Sequence, residues 1–209
     1  IITSSPGFVA WLGEKGLHSS PVENRIAKQE KIPMPDLPKI GYFGKIRETS
    51  SFTQLRDALL NIEEKNQRPS LLIAGDGTHA NVVRDIFANS TGINSDFRGP
   101  FTHSDLPSLM SEIGLMFALY SPDRGNITDG ALPAKMFEAA AYGRPTIVNR
   151  NTFMGEICEV ENLGKTVEWG DVESLSKTII ELIGQEVDIS IDERRERERF
   201  LTVVNGLIE

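Results

Sequence analysis

The chain has 209 residues, 39% of them hydrophobic and 25% charged, and its formal net charge is -8. This length and composition are typical of a folded domain with a substantial core, and they exclude an intrinsically disordered chain. The acidic balance argues against binding to nucleic acid, because neutralising a phosphate backbone requires a basic face.

The first 37 residues contain few predicted regular elements. A short β-prone run, Ile1 to Ser4, precedes apolar residues between Phe8 and Leu12 whose spacing favours one helix face. The stretch from Ser19 to Pro38 holds four prolines and few apolar residues, so we expect a linker. Because the chain does not begin with Met, we expect it to be part of a longer protein.

From Pro38 onward, predicted strands and helices alternate. The predicted strands are Lys39–Phe43, Ser70–Ala74, Ile93–Arg98, Gly114–Tyr120, Thr146–Asn149 and Lys165–Trp169. Helices are predicted around residues 52–62, 82–87, 106–110, 133–142, 153–160 and 172–183. Such alternation predicts an α/β, Rossmann-like fold, a parallel sheet with helices on both faces. Glycine and turn residues follow the strands, at the sheet edge where open α/β sheets bind ligands.

The tail of the chain is strongly charged. Ser190 and Glu193 have the spacing of a capping box, so we expect a helix to begin at this point. The run from Asp192 to Arg199 that follows is of a kind that usually forms a solvated face. The sequence therefore predicts an exposed terminal helix.

The segment from Ser121 to Pro145, SPDRGNITDGALPAKMFEAAAYGRP, has the features of an anion-binding site. It begins with a glycine-containing loop and enters a helix with Pro133 in its first turn, a favourable position for proline. The free amides of a helix N-terminus bind phosphate groups, and Lys135 adds a cation there. Glu138 follows about one turn later and is suited to accept hydrogen bonds from ribose hydroxyls. Gly143 is predicted to end the helix.

An alternative interpretation gives these side chains no ligand. Glu138 would be a solvent-facing carboxylate on the helix, and Lys135, three residues earlier, would be its ion-pair partner. Spacing alone does not distinguish this interpretation from the ligand-binding one.

The run from Leu132 to Pro145 resembles the motif P-x-K-x-x-E-a-x-A-x-G-x-P of retaining, nucleotide-sugar-dependent glycosyltransferases with the GT-B fold (glycosyltransferase family 4, group 1 type). The resemblance extends over about Pro38 to Ile183. Gly75-Asp76-Gly77 is similar to the family's turn after the second strand, and Phe97-Arg98-Gly99 is similar to the strand end that follows. The order and spacing of these fragments identify the chain as resembling the C-terminal, donor-binding half of such an enzyme.

The resemblance implies a division of the chain. Residues 1–37 would end an N-terminal domain and form the linker, residues 38–185 would bind the nucleotide sugar, and residues 186–209 would form a C-terminal helix.

An activity is also implied. It would be hexosyl transfer, with retention, from a nucleoside-diphosphate sugar to a saccharide or lipid-linked acceptor in polysaccharide biosynthesis, with no metal and no further cofactor. The chain would be inactive without its acceptor domain. The enzyme would be cytoplasmic, associating with the membrane surface through that domain.

Site residues follow from the resemblance as well. Glu138 would bind the ribose, and the backbone from Leu132 through Pro133 to Ala134 would hold the diphosphate together with Lys135. Gly44 and Lys45 match the family's Gly-Arg turn after the first strand, with Lys45 acting as a point charge in place of the arginine fork.

Further positions complete the predicted site. Arg47 would contribute charge beside the turn, and Arg98 and Phe101 would flank the nucleobase loop. The family often has a second glutamate eight positions before the first, where this chain has Gly130; Asp129 would take its place in holding the sugar. The predicted catalytic residues are thus Lys45, Asp129 and Glu138, and the predicted substrate-binding residues are Gly44, Arg47, Arg98, Leu132, Pro133, Ala134 and Lys135.

Two other functions stay open. A sugar-nucleotide epimerase on the same fold would need catalytic carboxylates and a histidine in a pattern that the sequence lacks. A non-catalytic module that binds a nucleotide or a protein partner is consistent with the glycine at position 130.

Other candidate sites have weaker support. Gly75 to Thr78 lacks the full phosphate-loop pattern, so it is predicted to be a turn and helix cap. His18, His79 and His103 have no metal-ligand spacing. Cys158, the single cysteine, excludes an intrachain disulfide, indicates a reducing compartment, and lies in an apolar stretch that predicts a core position.

Overall fold

A computed structural model describes residues 1–206, apart from the side chain of Lys65, and is centred on a six-stranded parallel sheet. A separate pair of short parallel strands lies in the N-terminal segment. The strands are β1 (Ile2–Thr3), β2 (Ser20–Pro21), β3 (Lys39–Phe43), β4 (Leu71–Ala74), β5 (Ser95–Phe97), β6 (Ile113–Ala118), β7 (Thr146–Asn149) and β8 (Gly164–Val167). The predicted α/β, Rossmann-like fold is confirmed.

The strand order of the large sheet is β5-β4-β3-β6-β7-β8. The chain winds outward from β3 to β5, then returns to the centre with β6 and winds the other way. The carboxyl ends of β3 and β6 therefore meet at a topological switch point, the place where open α/β sheets form a ligand crevice.

Helices follow most of the strands. Within the described residues they are α1 (Pro6–Gly13), α2 (Ser50–Leu60), α3 (Ala80–Ala88), α4 (Leu106–Met110), α5 (Gly125–Thr128), α6 (Ala134–Ala141), α7 (Phe153–Val160), α8 (Val172–Leu182) and α9 (Glu193–Asn205). Each helix predicted within residues 38–185 is observed, with ends that differ from the prediction by a few residues at most.

The core lies on both faces of the sheet, as predicted. Every residue of β4 and β6 is buried, which explains their unbroken apolar sequences. One face packs on α2, α3 and α8 through residues such as Leu55, Val83 and Leu175. The other face packs on α4, α6 and α7. Cys158 lies in this second core, and burial raises the pKa of its thiol to about 12, so the prediction of a core cysteine is confirmed.

The prediction of a capping box at Ser190 is wrong. Helix α9 begins at Glu193, and its N-cap is Asp192, whose side chain accepts a hydrogen bond from the amide of Arg194. Aspartate is as good an N-cap as serine, and here it lies directly before the first helical residue.

The prediction that this helix presents only a solvated charged face is also wrong. Glu196 is buried and accepts hydrogen bonds from the backbone amide of Glu23 and from Arg195. Glu23 in turn pairs with Arg25, which also binds Glu161 at 2.5 Å. Buried charges must be paired, and the packing of α9 on the segment around Glu23 supplies these partners.

Candidate functional site

A pocket of about 410 Å³ opens at the switch point, between the ends of β3 and β6 and the entrance of α6. Among the residues that line it are seven of the predicted site residues: Gly44, Lys45, Arg47, Pro133, Ala134, Lys135 and Glu138. A neighbouring cavity of about 280 Å³ shares Gly44, Lys45 and Phe101 with it. The fold therefore brings together residues from three separate stretches of the sequence.

The entrance of α6 offers free backbone donors. Pro133 is the N-cap residue, directly before the first helical residue, whereas the prediction placed it inside the first turn. No side chain within the described residues caps the helix. The first amides of the helix, at Ala134 and Lys135, have no intrahelical partner by geometry. At the other end Gly143 has a φ of +83°, and the amides of Gly143 and Arg144 donate to the last turn. The helix is thus held firmly with its positive end towards the pocket.

Lys135 is buried within the pocket wall. Its Nζ atom lies 3.3 Å from the ring centroid of Tyr42 and 5.7 Å from that of Tyr120. Burial lowers the pKa of its amine to about 7, with Glu138 raising it and Arg124 lowering it to smaller extents. No carboxylate of the described residues lies within 4.0 Å of the amine, so the surface ion pair with Glu138 is not formed.

Glu138 lies on the same side of α6 and is half-buried. Burial raises the pKa of its carboxyl group, while His103 and Lys135 lower it. Within the described part of the chain the carboxylate makes no hydrogen bond, although buried polar groups normally have partners. It is therefore available to a ligand in the pocket.

The loop after β3 is fixed by close contact with the loop after β4. A Cβ atom on Gly75 would overlap the carbonyl oxygen of Gly44, and one on Gly77 would overlap that of Ile46. Gly75-Asp76-Gly77 forms an irregular loop whose glycines are required by this approach, and the turn lies at residues 78–79. The predicted helix cap in this segment is wrong, because the N-cap of α3 is His79. Lys45 projects from the loop after β3, where its Nζ lies 2.6 Å from the Asp76 carboxylate in an exposed pair.

Three predicted residues lie outside the pocket lining. The guanidinium of Arg98 is paired with Glu112 at 2.5 Å and with Asp96 at 2.7 Å, which raises its pKa. The side chain of Leu132 belongs to the core. Asp129 lies at the end of α5, and its carboxylate does not line the pocket.

Packing explains the glycine at position 130. Gly130 has a φ of +100°, and a Cβ atom there would lie 2.5 Å from the Cα of Gly7. The Ser5 hydroxyl donates to the Gly130 carbonyl at 2.5 Å and accepts a hydrogen bond from the Gly7 amide. A side chain at position 130 is therefore excluded by the N-terminal segment.

Sequence reasoning missed four residues that line the pocket: Tyr42, Phe43, Tyr120 and Arg124. Tyr42 and Phe43 are the last two residues of β3, Tyr120 lies two residues beyond the end of β6, and Arg124 follows in the next loop. Burial raises the pKa of the Tyr42 hydroxyl to about 12, and this hydroxyl donates to the Lys45 carbonyl. An aromatic residue at the carboxyl end of each of two predicted strands was the signal that could have identified the tyrosines.

Comparison with known proteins now decides the family. Residues 37–185 match the model of a family described as Glycosyl transferases group 1. The chain belongs to the group 1 glycosyl transferases. Membership in this family favours a sugar transferase over the epimerase that shares the fold. In residues 1–206 of this group 1 glycosyl transferase, no helix is both long enough and apolar enough to cross a bilayer.

One curated relative supports the same assignment. The succinoglycan biosynthesis protein ExoL of Rhizobium meliloti is 25% identical over 202 residues. The alignment covers 86% of this chain and 48% of ExoL, so the chain spans about half the length of that relative.

Solved glycosyltransferases share the fold. S. aureus TarM, solved with fondaparinux, alpha-GlcNAc-glycerol and UDP, matches 96% of this chain and 40% of its own at a TM-score of 0.67 and 13% identity. The C-terminal domain of the group 1 protein LpcC of Francisella tularensis matches with a TM-score of 0.53 at 18% identity, covering 73% of this chain and 78% of that domain. The architecture is therefore that of GT-B glycosyltransferases.

Proposed function

We propose that the chain is the donor-binding half of a retaining glycosyltransferase, which transfers a hexose from a nucleoside-diphosphate sugar to a saccharide or lipid-linked acceptor. The observation that carries the proposal is the pocket at the switch point. There the free amides of the α6 entrance, the buried amine of Lys135 and the carboxylate of Glu138 line one space. That carboxylate accepts no hydrogen bond from a described residue. These groups suit a diphosphate and an adjoining ribose.

The chemistry of the site is mainly charge stabilisation. When the bond between the anomeric carbon and the donor oxygen breaks, its electron pair passes to the diphosphate, which leaves with added negative charge. Amides at the α6 entrance and the cations Lys135 and Lys45 would stabilise that charge more in the transition state than in the ground state. Arg47 would add positive charge at the exposed rim, and Asp129 would approach the sugar only if the loop before α6 shifts.

The acceptor belongs to the part of the proposal that reaches beyond this chain. The name of ExoL refers to succinoglycan biosynthesis, which supports a saccharide acceptor and a role in polysaccharide assembly. Acceptor binding is assigned to an N-terminal domain outside the sequence, so the 209-residue chain alone should not transfer sugar. Transfer by the isolated chain would show that the division into donor and acceptor halves is wrong.

Calorimetric titration with UDP, GDP and ADP tests the donor site. At least one of the three should bind, and Glu138→Ala should weaken that binding about 10- to 100-fold, the effect of losing hydrogen bonds to a charged group. Glu156→Ala is the matched control, because Glu156 is an exposed glutamate of α7 outside the pocket. Failure of all three nucleotides to bind at millimolar concentration would refute the proposed function.

A further inference from the structure

Arg124 lies in the loop between β6 and α5 and lines the same pocket as the α6 entrance. The central carbon of its guanidinium is 4.8 Å from the ring centroid of Tyr120. Lys135 Nζ lies 5.7 Å from the same centroid. Two cations from different elements thus meet at one aromatic ring.

No described residue compensates the positive charge of Arg124. In residues 1–206 no carboxylate lies within 4.0 Å of its guanidinium, and the guanidinium donates no hydrogen bond to a described residue. Its charge also helps to lower the pKa of Lys135, after the larger effect of burial. Like charges held together in a partly dry pocket are unfavourable until an anion enters.

The backbone at Arg124 is fixed before any ligand binds. Its amide donates to the Ser121 carbonyl at 3.1 Å, and its carbonyl accepts from the amide of Ile127 at 2.8 Å. Ile127 is buried in the core, and Gly130 fastens the far end of the loop. The backbone that carries the guanidinium therefore needs no reordering on binding, and the side chain contacts the Tyr120 ring.

We propose that Arg124 binds the diphosphate of the donor directly, as a further cation of the site beside Lys135. A guanidinium lying against a ring keeps its edge N–H groups free, and these match two phosphate oxygens at once. Lys135 supplies a single point charge from α6. The inference rests on the proposed function, because it assigns one more residue to the same ligand.

Titration of the 209-residue chain with inorganic pyrophosphate and with UDP, GDP and ADP tests this role. Arg124→Met should weaken both pyrophosphate and the nucleotide that binds by about 10- to 100-fold. Arg124→Lys keeps the charge but loses the fork, so it should restore only part of the affinity. Arg84→Met is the matched control and should bind as the wild type does, because Arg84 also lies near an aromatic ring, Phe97 at 5.6 Å, but outside the pocket.

The outcomes separate the two proposals. If Arg124→Met binds both ligands within about twofold of wild type, the role of Arg124 is refuted and the donor site stands. The role is also refuted if the variant loses the nucleotide but keeps pyrophosphate, since Arg124 would then act on the nucleoside or on the fold. If the wild-type chain binds pyrophosphate but none of the three nucleotides, the proposed function is refuted. The pyrophosphate affinity of Arg124→Met would still show whether Arg124 binds the diphosphate group. If Arg124→Met does not fold, Arg124→Lys takes its place in the test. Wild-type affinity in Arg124→Lys would refute binding of two phosphate oxygens by the guanidinium.

Discussion

Lys135 and Glu138 are one helical turn apart, yet their surroundings assign them different tasks. The Lys135 amine is enclosed by Tyr42 and Tyr120, whereas the Glu138 carboxylate lies at the half-buried edge of the pocket. Burial penalises the charged form of both groups, lowering the pKa of the lysine and raising that of the glutamate. An anionic ligand would reverse this penalty for the lysine.

Nucleotide affinity should therefore depend on pH through Lys135. With a pKa of about 7 in the free protein, the amine is protonated below that pH and must take up a proton to bind the diphosphate above it. Affinity should be full below about pH 7 and fall by up to about tenfold per pH unit above it. Calorimetry in two buffers of different ionisation enthalpy, near pH 8.5, should show uptake of about one proton.

Charge-conserving variants isolate the group responsible. Lys135→Arg stays protonated and should remove the pH dependence, whereas Lys45→Arg should keep it, since Lys45 is exposed and paired with Asp76. Equal pH dependence in wild type and Lys135→Arg would contradict the assignment.

Stability should respond to the same group with the opposite trend. The unfolded chain keeps Lys135 protonated up to its ordinary pKa of 10.5, while the folded chain releases the proton near pH 7. The unfolded state thus binds more protons between these values, so the Lys135 contribution to stability rises with pH in this window. Urea midpoints measured from about pH 7 to about pH 9 should rise less in Lys135→Met than in wild type.

At the scale of the elements, the loops after β3 and β4 form one structural unit. Gly75 has a φ of +143° and touches the backbone of Gly44. Gly75→Ala should therefore cost about 2–4 kcal/mol of unfolding free energy, from clash and backbone strain together. Gly170→Ala is the control for strain alone, because Gly170 has a φ of +88° with open space around it. Gly170→Ala should lower the unfolding free energy by about 1 kcal/mol. If urea unfolding shows equal losses for both variants, a clash between residue 75 and the Gly44 backbone does not contribute.

The start of α9 is a second prediction at this scale. Asp192→Ala should destabilise the helix by about 1 kcal/mol, because its side chain satisfies the amide of Arg194. Ser190→Ala should have no comparable effect. Hydrogen exchange of the α9 amides measures this directly, and faster exchange in Ser190→Ala than in Asp192→Ala would restore the capping box inferred from the sequence.

At the scale of the whole molecule, a buried ion network joins the segment around Glu23 and Arg25 to α9 and to the elements that cover the large sheet. Arg25 lies 4.0 Å from the ring centroid of Phe137 on α6 and pairs with Glu23 and Glu161. The network thus reaches the helix that supplies Lys135 and Glu138 to the pocket.

Removing the central cation should be costly. Arg25→Met would leave the Glu161 carboxylate without its partner, while Glu23 would keep only Arg195 and Arg199. Unfolding free energy should therefore fall by about 3–5 kcal/mol at neutral pH. Arg197→Met, on the exposed face of α9, should change it by less than about 0.5 kcal/mol. Equal urea midpoints for Arg25→Met and Arg197→Met would show that the network does not stabilise the fold.

Acid should weaken the same network. Burial raises the pKa of Glu196, but hydrogen bonds from the Glu23 amide and Arg195 outweigh this effect and hold the pKa below its usual value. Wild-type stability should therefore fall as the pH drops below about 4.5.

The sequence by itself determined the alternation of strands and helices, the parallel sheet, and the position of α6 with its proline entrance and glycine end. These features depend on residues a few positions apart, so periodicity and turn chemistry reveal them. Only the tertiary structure decided that Lys135 is buried against Tyr42, that Arg124 shares its pocket, and that Arg98 is engaged elsewhere. It also decided that Gly130 faces Gly7 and that Glu196 is buried. Burial, charge compensation and backbone contact depend on residues that are distant in the chain. A local sequence pattern does not predict which of these distant residues come into contact.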